Sequence, residues 1–368
     1  MRAALPTRDK VLLLYFDHAS GMVPDASDIE ILSGMYLKYS ANQEALHRMA
    51  YDVRCALSQA KDRLVRVLAG NPDFRVIAFS GGTAAVALLG KWQRLKRKKV
   101  LTTRLEHPSV NSALKRAEAE CVYLKPDKYG RVQSLNIPDI DAVFIHHVQS
   151  EIGTVQDLET LFAAFPDAIK IADTIQSAVK MPLPRNADIL TVSGAKFGVP
   201  GAAALLVRKK YAAEIDGLVQ AEREDYLVPR LLVPNFLAMS RTADLKTADM
   251  SIASEHAVLL QKLSRRLAEK LGLRCTVPEE FSSPYICHIS LKDADGAVVV
   301  RLLGEEGICA GAGTACSAET GEPSAVLRAI GYSKKDAFGG LRISFSMSTT
   351  ENDVKKLFEV LEKILKNY

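Results

Sequence analysis

Lys196 and Cys316 are the two residues whose surroundings most suggest chemistry. Cys316 lies in the segment Gly311-Ala-Gly-Thr-Ala-Cys-Ser317, which contains only small or polar residues, whereas a buried cysteine normally packs among large apolar side chains. Lys196 ends the segment Ser193-Gly-Ala-Lys196, directly after a predicted strand. A lysine in that position can form a Schiff base with a carbonyl cofactor. An ordinary loop cysteine and a surface lysine are the alternative interpretations of the two residues.

The segment Ser80-Gly-Gly-Thr83 has the properties of an anion site. It joins a predicted strand to a predicted helix, so free backbone N–H groups and the positive end of the helix dipole lie together. Gly82 and its neighbour allow the backbone to approach a phosphate, and Thr83 adds a hydroxyl. The G-x-x-x-x-G-K pattern of a nucleotide P-loop is missing. A tight turn with a helix cap is the alternative interpretation.

Three further polar residues follow predicted strands and suit an aromatic cofactor. Asp173 can pair with a protonated ring nitrogen, Gln176 can donate to a ring oxygen, and His107 can lie flat on the ring. A helix cap, a surface amide and a structural histidine are the respective alternatives. Because ligands of open α/β sheets bind beyond the carboxyl ends of the strands, we interpret four polar segments that follow predicted strands as one site. They are Ser80–Thr83, His146–Glu151, Asp173–Gln176 and Ser193–Lys196.

The elements that position these residues alternate between strands and helices. Short apolar runs predict strands, and helical periodicity predicts helices over 44–69 and from about residue 84. This alternation indicates βαβ units and a mostly parallel sheet. The predicted strands lie near residues 75–79, 100–102, 142–146, 169–172, 188–192 and 202–207.

The pattern changes after about residue 240. A long helix predicted over 251–271 is followed by short strands near 286–291 and 341–345, and by a last helix that Thr350 caps. We therefore predict a large α/β domain with a mostly parallel mixed sheet and a smaller α+β domain. The predicted large domain covers residues 15–245, and the predicted small domain combines residues 1–14 and 246–368, including the Cys316 loop.

The composition of the 368 residues is that of an ordinary globular protein, with 48% hydrophobic residues, 25% charged residues and a net charge of +5. The basic run at 91–99 is interpreted as a helix end, so no nucleic-acid binding is expected. The six cysteines form no C-x-x-C pair and the histidines lack zinc spacing, so no metal is expected. The N-terminal sequence predicts neither a signal peptide nor a membrane span, and a cytoplasmic location follows.

In their order and spacing, the motifs resemble those of the cysteine desulfurases, within the class V group of fold-type I pyridoxal-phosphate enzymes. The resemblance runs over nearly the whole chain. The matching segments, each with the family pattern in parentheses, are Tyr15-Phe-Asp-His-Ala-Ser20 (Y-L-D-N-A-A), Asn42-Gln-Glu-Ala-Leu-His47 (N-P-S-S-x-H), Ser80-Gly-Gly-Thr83 (S-G-A-T), Glu106-His107 (E-H), Glu151-Ile-Gly-Thr-Val-Gln156 (E-I-G-T-x-Q), Asp173-Thr-Ile-Gln-Ser177 (D-x-x-Q-S), Ser193-Gly-Ala-Lys196 (S-G-H-K), Gly313-Thr-Ala-Cys316 (S-A-C), Glu322-Pro-Ser-Ala-Val-Leu-Arg328 (E-P-S-x-V-L-R) and Leu341-Arg-Ile-Ser344 (I-R-x-S).

The resemblance implies a fold-type I transferase that binds pyridoxal 5'-phosphate. It implies that Lys196 holds the cofactor, that Asp173 keeps the pyridine nitrogen protonated and that His107 stacks on the ring. The remaining cofactor contacts that it implies are Gly82, Thr83, Ser150, Gln176 and Ser193.

The same resemblance implies the chemistry and the partners. Arg342 grips the carboxylate of L-cysteine, Lys196 moves the Cα proton, and Cys316 accepts the substrate sulfur as a persulfide while alanine leaves. A homodimer and an unidentified sulfur-acceptor protein are also implied, in a pathway such as iron–sulfur cluster assembly or thiolation.

Three departures from the family pattern fall at predicted phosphate and substrate contacts. Ala195 replaces the histidine before the lysine, and Ser150 replaces an asparagine of the pattern V-N-N-E. Arg230 falls roughly where the family has a threonine that reaches the partner subunit's phosphate. Since Lys196 and Cys316 are retained, the chain is interpreted as a divergent enzyme with altered cofactor affinity.

Two other interpretations of the motifs stay open. One is a different pyridoxal-phosphate reaction on the same fold, such as a selenocysteine lyase or an aminotransferase. The other is a non-catalytic relative that serves as a binding or scaffold subunit. Loss of desulfuration on replacement of Cys316 distinguishes the first, and a protein that takes up no cofactor indicates the second.

Overall fold

The computed structural model describes residues 13–133, 137–224, 231–313 and 322–368. The strands of these residues are β1 (Leu14–Tyr15), β2 (Phe74–Phe79), β3 (Lys99–Thr103), β4 (Glu120–Leu124), β5 (Ala142–His146), β6 (Ile169–Asp173), β7 (Ile189–Ser193), β8 (Ala203–Arg208), β9 (Arg274–Cys275), β10 (Ile286–Ser290), β11 (Ile308–Cys309) and β12 (Gly340–Ser344). The α-helices are α1 (Ala26–Tyr39), α2 (Arg48–Leu64), α3 (Gly82–Leu89), α4 (Pro108–Arg116), α5 (Leu158–Ala163), α6 (Lys209–Glu224), α7 (Val233–Ala248), α8 (Met250–Lys270), α9 (Gly296–Glu305), α10 (Ala325–Ala329) and α11 (Glu351–Asn367).

The main feature is a seven-stranded sheet with the order β2-β8-β7-β6-β5-β3-β4. Strand β8 is antiparallel to both of its neighbours, β2 and β7, and the pairs from β7 through β4 are parallel. Six strands therefore run in one direction, and their carboxyl ends meet at one edge of the sheet. This mixed, mostly parallel sheet confirms the predicted fold class.

Apolar residues cover both faces of the large sheet. On one face, α2 and α7 contribute Val53, Leu57, Phe236 and Met239 to a cluster that includes strand residues. On the other face, α3 and α4 contribute side chains such as Leu89 to a cluster that also contains residues of β2, β7 and β8. Burial on both faces explains why the central strands are continuous apolar runs.

The helix predicted over residues 44–69 is shorter in the structure. Its first residue is Arg48, because His47 is the N-cap and its Nδ1 accepts a hydrogen bond from Ala50 N at 3.2 Å. After Leu64 the chain forms a π-helical turn, Val65–Ala69, which ends at Gly70 in the left-handed conformation with φ 59°. Glycine adopts that conformation without steric cost.

A second, three-stranded sheet has the order β12-β10-β9 and is antiparallel. It packs with α8, α9 and α11 around a separate apolar cluster that contains Phe16, Leu260 and Phe345. Strand β1 pairs with β11, and Asp17 forms a bridge to Ser344 at the end of β12. The predicted cap of the last helix is confirmed, since Thr350 accepts from Asp353 N. No helix among the described residues is both long and apolar enough to cross a bilayer.

Candidate functional site

A cavity of about 370 Å³ lies at the carboxyl edge of the large sheet. Its wall contains each predicted site residue that the structure describes, namely Gly82, Thr83, His107, Ser150, Asp173, Gln176, Ser193, Lys196 and Arg342. Cys316, the predicted sulfur acceptor, and Arg230, a departure from the family pattern, lie outside the described residues. Residues that are far apart in the chain therefore meet in one place.

The strand directions explain this convergence. Asp173 and Ser193 are the last residues of β6 and β7, and Gly82 is the first residue of the helix that follows β2. Because β2, β6 and β7 point the same way, their ends open onto one edge. Arg342 comes from elsewhere, since it lies in the middle of β12 in the small sheet.

Asp173 is held by one of its two carboxylate oxygens. Its Oδ1 accepts from Thr191 Oγ1 at 2.7 Å and from Ile175 N at 3.1 Å. The side chain is buried at the cavity wall. This arrangement fixes the carboxylate and leaves Oδ2 to pair with a protonated ring nitrogen.

The start of α3 forms the end of the cavity that suits a phosphate. Its N-cap, Gly81, has no side chain to cap the helix, so the first N–H groups of the helix receive no capping hydrogen bond from that residue. A Cβ atom at Gly82 would approach Ile175 Cδ1 to 3.0 Å and Ser193 Cβ to 3.1 Å. Ala195 also lines the cavity and provides no hydrogen bond from its side chain there.

His107 stands at the cavity wall as the N-cap of α4. Its Nδ1 lies 2.7 Å from Ser109 Oγ and accepts from Ser109 N at 3.2 Å. Desolvation by the surrounding wall lowers the pKa of His107, and the Lys196 ammonium lowers it further, whereas the Asp173 carboxylate opposes them. The uncharged form of the ring is therefore favoured.

Gln176 carries a buried atom that lacks a partner. Its Nε2 donates to Ala19 O at 2.8 Å, and its Oε1 has no hydrogen-bond partner among the described residues. A buried polar atom without a partner costs free energy, so a donor from a ligand in the cavity would stabilise this side chain. Gln149, by contrast, uses both ends of its amide, because Oε1 accepts from Ile152 N at 2.8 Å and Nε2 donates to Leu105 O at 3.2 Å.

Lys196 is half-buried, and its Nζ donates to the carbonyl oxygen of Ser20. The pKa of Lys196 is lowered to about 8, chiefly because burial disfavours the charged amine and next because of the Arg342 guanidinium. Asp17 and Asp173 oppose this change. A neutral amine, which is the form that attacks carbonyl groups and accepts protons, is therefore populated near neutral pH.

We expect the reactivity of Lys196 toward acetic anhydride, in the cofactor-free protein, to rise with a midpoint near pH 8. The amine becomes nucleophilic above its pKa, and an unperturbed lysine titrates at about 10.4. Lys335 provides the internal control, because the Asp293 carboxylate raises its pKa. Pulse labelling at a series of pH values, followed by mass spectrometry of the peptides, measures both. Identical midpoints for the two lysines would contradict the lowered pKa.

Arg342 is buried, with 4% of its surface exposed. Its Nη2 donates to Asp17 Oδ1 at 2.6 Å and to Ser20 Oγ at 2.6 Å, and its Nη1 donates to Ser150 O at 2.8 Å. These contacts fix the plane of the guanidinium beside Lys196. Nε of Arg342 has no partner among the described residues.

Gly311 packs directly against this ion pair. Its backbone pairs with that of Arg342 through two hydrogen bonds, at 2.7 and 3.0 Å. A Cβ atom at this position would lie 2.9 Å from both Arg342 Nη2 and Asp17 Oδ1. The segment that leads toward Cys316 therefore begins against the candidate carboxylate-binding arginine.

Several polar residues near the site are used to build its wall. His146 Nδ1 contacts Glu106 Oε1 at 2.8 Å, and Thr103 Oγ1 donates to the same oxygen at 2.7 Å. Glu151 is buried, and its carboxylate accepts from Ser324 Oγ. Burial raises the pKa of Glu151. These contacts connect β5 and the turn after it to neighbouring segments.

Asp17 and Ser20 are the site residues that sequence reasoning did not identify. Both belong to the motif Tyr15-Phe-Asp-His-Ala-Ser20, which supports the family resemblance but assigns no role to either residue. Their function depends on the contact with Arg342, more than 300 residues away in the chain. The one available signal was the hydroxyl at position 20, where the family pattern ends in alanine.

The residues present fit pyridoxal phosphate. The cavity offers an amine with a lowered pKa at Lys196, a fixed carboxylate at Asp173, an unpartnered amide oxygen at Gln176 and an uncapped helix start at Gly81. These groups match, in turn, an aldehyde, a pyridinium nitrogen, a ring hydroxyl and a phosphate. Within the described part of the chain, no group of His, Cys, Asp and Glu suited to a metal ion is found.

Comparison with known sequences finds relatives along almost the whole chain. Residues 14–221 and 231–357 match the family described as Aminotransferase class-V. A cysteine desulfurase of Nostoc sp. strain PCC 7120 is 26% identical over 379 residues, which cover 96% of this chain and 93% of that protein. The cysteine desulfurase IscS of Dictyoglomus turgidum is 25% identical, with 96% and 94% covered.

Solved structures share the fold. A structure described as a NifS-like protein aligns with a TM-score of 0.84 at 22% identity, covering 97% of this chain and all of that chain. A structure described as SspA in complex with cysteine aligns with a TM-score of 0.75 at 22% identity, covering 92% of this chain and 100% of that one. At this level of identity the alignments establish the common fold.

Proposed function

The chain belongs to the Aminotransferase class-V family, and from this premise we propose that it is a pyridoxal-phosphate-dependent L-cysteine desulfurase. The observation that carries the proposal is the single cavity that holds Lys196, Asp173, Gln176, His107 and Arg342 together. The names of its sequence relatives support the reaction. The structural neighbour described as a complex with cysteine supports the substrate.

The proposed cofactor contacts follow from the geometry of the cavity. Lys196 would attach the cofactor, Asp173 would pair with its ring nitrogen, and His107 would lie on its ring. When bound, pyridoxal phosphate supplies an electron-withdrawing ring attached to the amino group of the substrate. The other proposed contacts are Gly82, Thr83 and Ser193 at the phosphate and Ser150 and Gln176 at the ring.

Lys196 and Arg342 are proposed to act on the substrate itself. Arg342 binds the carboxylate of L-cysteine, because a guanidinium is always charged and only donates hydrogen bonds. Its contacts with Asp17 and Ser150 hold it in position for this role. Lys196 Nζ then accepts the Cα proton and later returns one, which suits a group with a pKa of about 8.

Cys316 is proposed to take the sulfur. Its thiolate attacks the sulfur of L-cysteine, so that the Cβ–S bond of the substrate breaks and an S–S bond forms on Cys316. The electron pair of the broken bond stays with the substrate, which takes up one proton at Cβ while Lys196 returns one at Cα, so that L-alanine leaves and a persulfide stays on the protein. The persulfide then passes its outer sulfur to an acceptor protein of unknown identity, in iron–sulfur cluster assembly or another thiolation pathway.

We also propose a homodimer in the cytoplasm. Large apolar side chains of α1, of the segment before α2 and of the first turn of α2 are exposed, with Leu37 91%, Leu46 100% and Met49 60% accessible. A second copy of the chain would bury them, since exposed apolar surface marks interaction sites. The division into a large domain over 15–245 and a small one formed by 1–14 and 246–368 stays a proposal too.

The proposed function is tested by incubating the pure protein with pyridoxal phosphate and L-cysteine. We expect alanine and sulfide to appear in the presence of a thiol reductant, and a persulfide on the protein in its absence. Alanine is measured by amino-acid analysis and the persulfide by mass spectrometry of the intact chain. Cofactor uptake without release of alanine from L-cysteine would contradict the proposed reaction.

A further inference from the structure

Ser20 lies between the two residues that are proposed to handle the substrate. Its side-chain Oγ accepts from Arg342 Nη2 at 2.6 Å, and its carbonyl oxygen accepts from Lys196 Nζ. The residue lines the cavity and is exposed there. A substrate whose carboxylate contacts Arg342 and whose Cα lies near Lys196 is therefore adjacent to Ser20.

The hydroxyl of Ser20 has a proton to donate. A serine hydroxyl has one donor and two acceptor positions, and the contact with Arg342 uses an acceptor position because a guanidinium only donates. The proton of Ser20 Oγ is therefore free for another acceptor, and Ser20 lines the cavity. A carboxylate has only acceptors, so it is the complementary partner.

Two sequence departures fall at the same place. Ser20 stands where the family pattern Y-L-D-N-A-A ends in alanine, and Ser150 stands where V-N-N-E has an asparagine. Around Arg342, a hydroxyl is thus gained at position 20 and an amide is lost at position 150. The backbone oxygen of Ser150 still accepts from Arg342 Nη1 at 2.8 Å, so this contact does not depend on the side chain at position 150.

Because Asp17 is paired with Arg342, an uncharged hydrogen-bond donor contributes more to the binding of a carboxylate at this subsite. Its Oδ1 lies 2.6 Å from Arg342 Nη2, next to Gly311, so one carboxylate already balances the charge of the arginine. A second carboxylate is attracted less strongly to a guanidinium that is already paired. A hydrogen bond from an uncharged hydroxyl is not weakened in this way.

We propose that Ser20 is a substrate-binding residue, whose hydroxyl donates to the carboxylate of the amino-acid substrate beside Arg342. This inference rests on the proposed function, and it adds a specificity-determining contact that the family pattern lacks. It predicts that Ser20 contributes to binding of the free substrate and product, and little to the chemical step.

The test compares Ser20→Ala with the wild-type holoenzyme. Loss of a hydrogen bond to a charged group is expected to raise KM for L-cysteine about tenfold, which corresponds to about 1.4 kcal/mol. We expect kcat to change by less than about twofold, because the contact exists before and during the reaction. Ser20→Thr keeps a hydroxyl and should restore most of the affinity. Ser348→Ala, at an exposed position on another surface, is the control.

Equilibrium binding separates this role from an effect on Arg342 alone. By calorimetry, Ser20→Ala should bind L-alanine about tenfold more weakly than the wild type, and Ser20→Thr, which keeps the donor, should bind it almost as tightly as the wild type. Equal affinities of the wild type and Ser20→Ala for L-alanine would overturn the proposal, as would an equal loss in Ser20→Ala and Ser20→Thr, which indicates only a displaced arginine. If the wild type releases no alanine from L-cysteine, the proposed function fails, and the L-alanine measurement still decides the role of Ser20.

Discussion

Replacement of Lys196 by alanine is expected to lower the rate of alanine formation from L-cysteine by about 10³-fold or more. Two contributions are lost together, the covalent attachment of the cofactor and the transfer of the Cα proton, and a positioned acid–base group alone contributes about 10²–10⁴-fold. The absorbance band of the bound cofactor should disappear as well. Among the described residues, no other side-chain amine donates a hydrogen bond to Ser20 O, so no neighbouring lysine is placed to replace Lys196.

The measurement is a comparison of turnover and of the cofactor spectrum for Lys196→Ala and for Lys355→Ala. Lys355 is an exposed residue of α11 that is paired with Glu351, so its replacement should leave both properties unchanged. A Lys196→Ala protein with wild-type turnover would place the essential amine elsewhere. An unchanged spectrum would show that the cofactor is attached at another residue.

Replacement of Cys316 by alanine is expected to abolish formation of alanine and of the protein persulfide, while the cofactor spectrum stays that of the wild type. The thiolate is the only proposed acceptor of the substrate sulfur, and no other nucleophile is assigned to break the Cβ–S bond. Cys316 lies outside the described residues, so this expectation rests on the motif and on the site to which the flanking segments lead. Gly311, at the start of the segment, contacts Arg342 directly.

The matched control is Cys121→Ala. Cys121 lies in β4, at the edge of the large sheet, and burial raises the pKa of its thiol, which makes it a poor nucleophile. Its replacement should leave sulfur transfer intact. If Cys316→Ala still forms alanine at the wild-type rate, the reaction does not use this thiol. If neither the wild type nor Cys316→Ala desulfurates L-cysteine, but both transaminate amino acids, the aminotransferase alternative is favoured.

The site was predictable to the extent that it lies at strand ends. Asp173 and Ser193 end β6 and β7, and Gly82 begins α3, as the apolar runs and the polar residues after them indicate. Because parallel strands share one edge, local patterns were sufficient to place these residues together with Lys196. The antiparallel strand β8 does not change this prediction of a shared edge, since the amino end of β8 lies at the same edge as the carboxyl ends of its neighbours.

Contacts between distant segments were not predictable in the same way. The hydrogen bonds of Asp17 and Ser20 to Arg342 require the segment after β1 to lie beside β12, and no periodicity in either segment encodes that contact. Strand β4 was not predicted either, because its pattern of half-buried and exposed residues at the sheet edge resembles a loop. The start of α2 was misplaced because His47 caps the helix through its side chain, and histidine is not a usual N-cap residue.

The most direct test of the account is reduction of the protein with borohydride after it has been loaded with pyridoxal phosphate, followed by peptide mapping. Reduction makes the bond between an amine and the cofactor permanent, so mass spectrometry locates it. We predict one pyridoxyl group per chain, on Nζ of Lys196. Lys180 provides the sharpest contrast, because burial and the nearby Lys196 lower its pKa to about 7. A label on Lys180 or on any other lysine, or no label at all, would contradict the central claim.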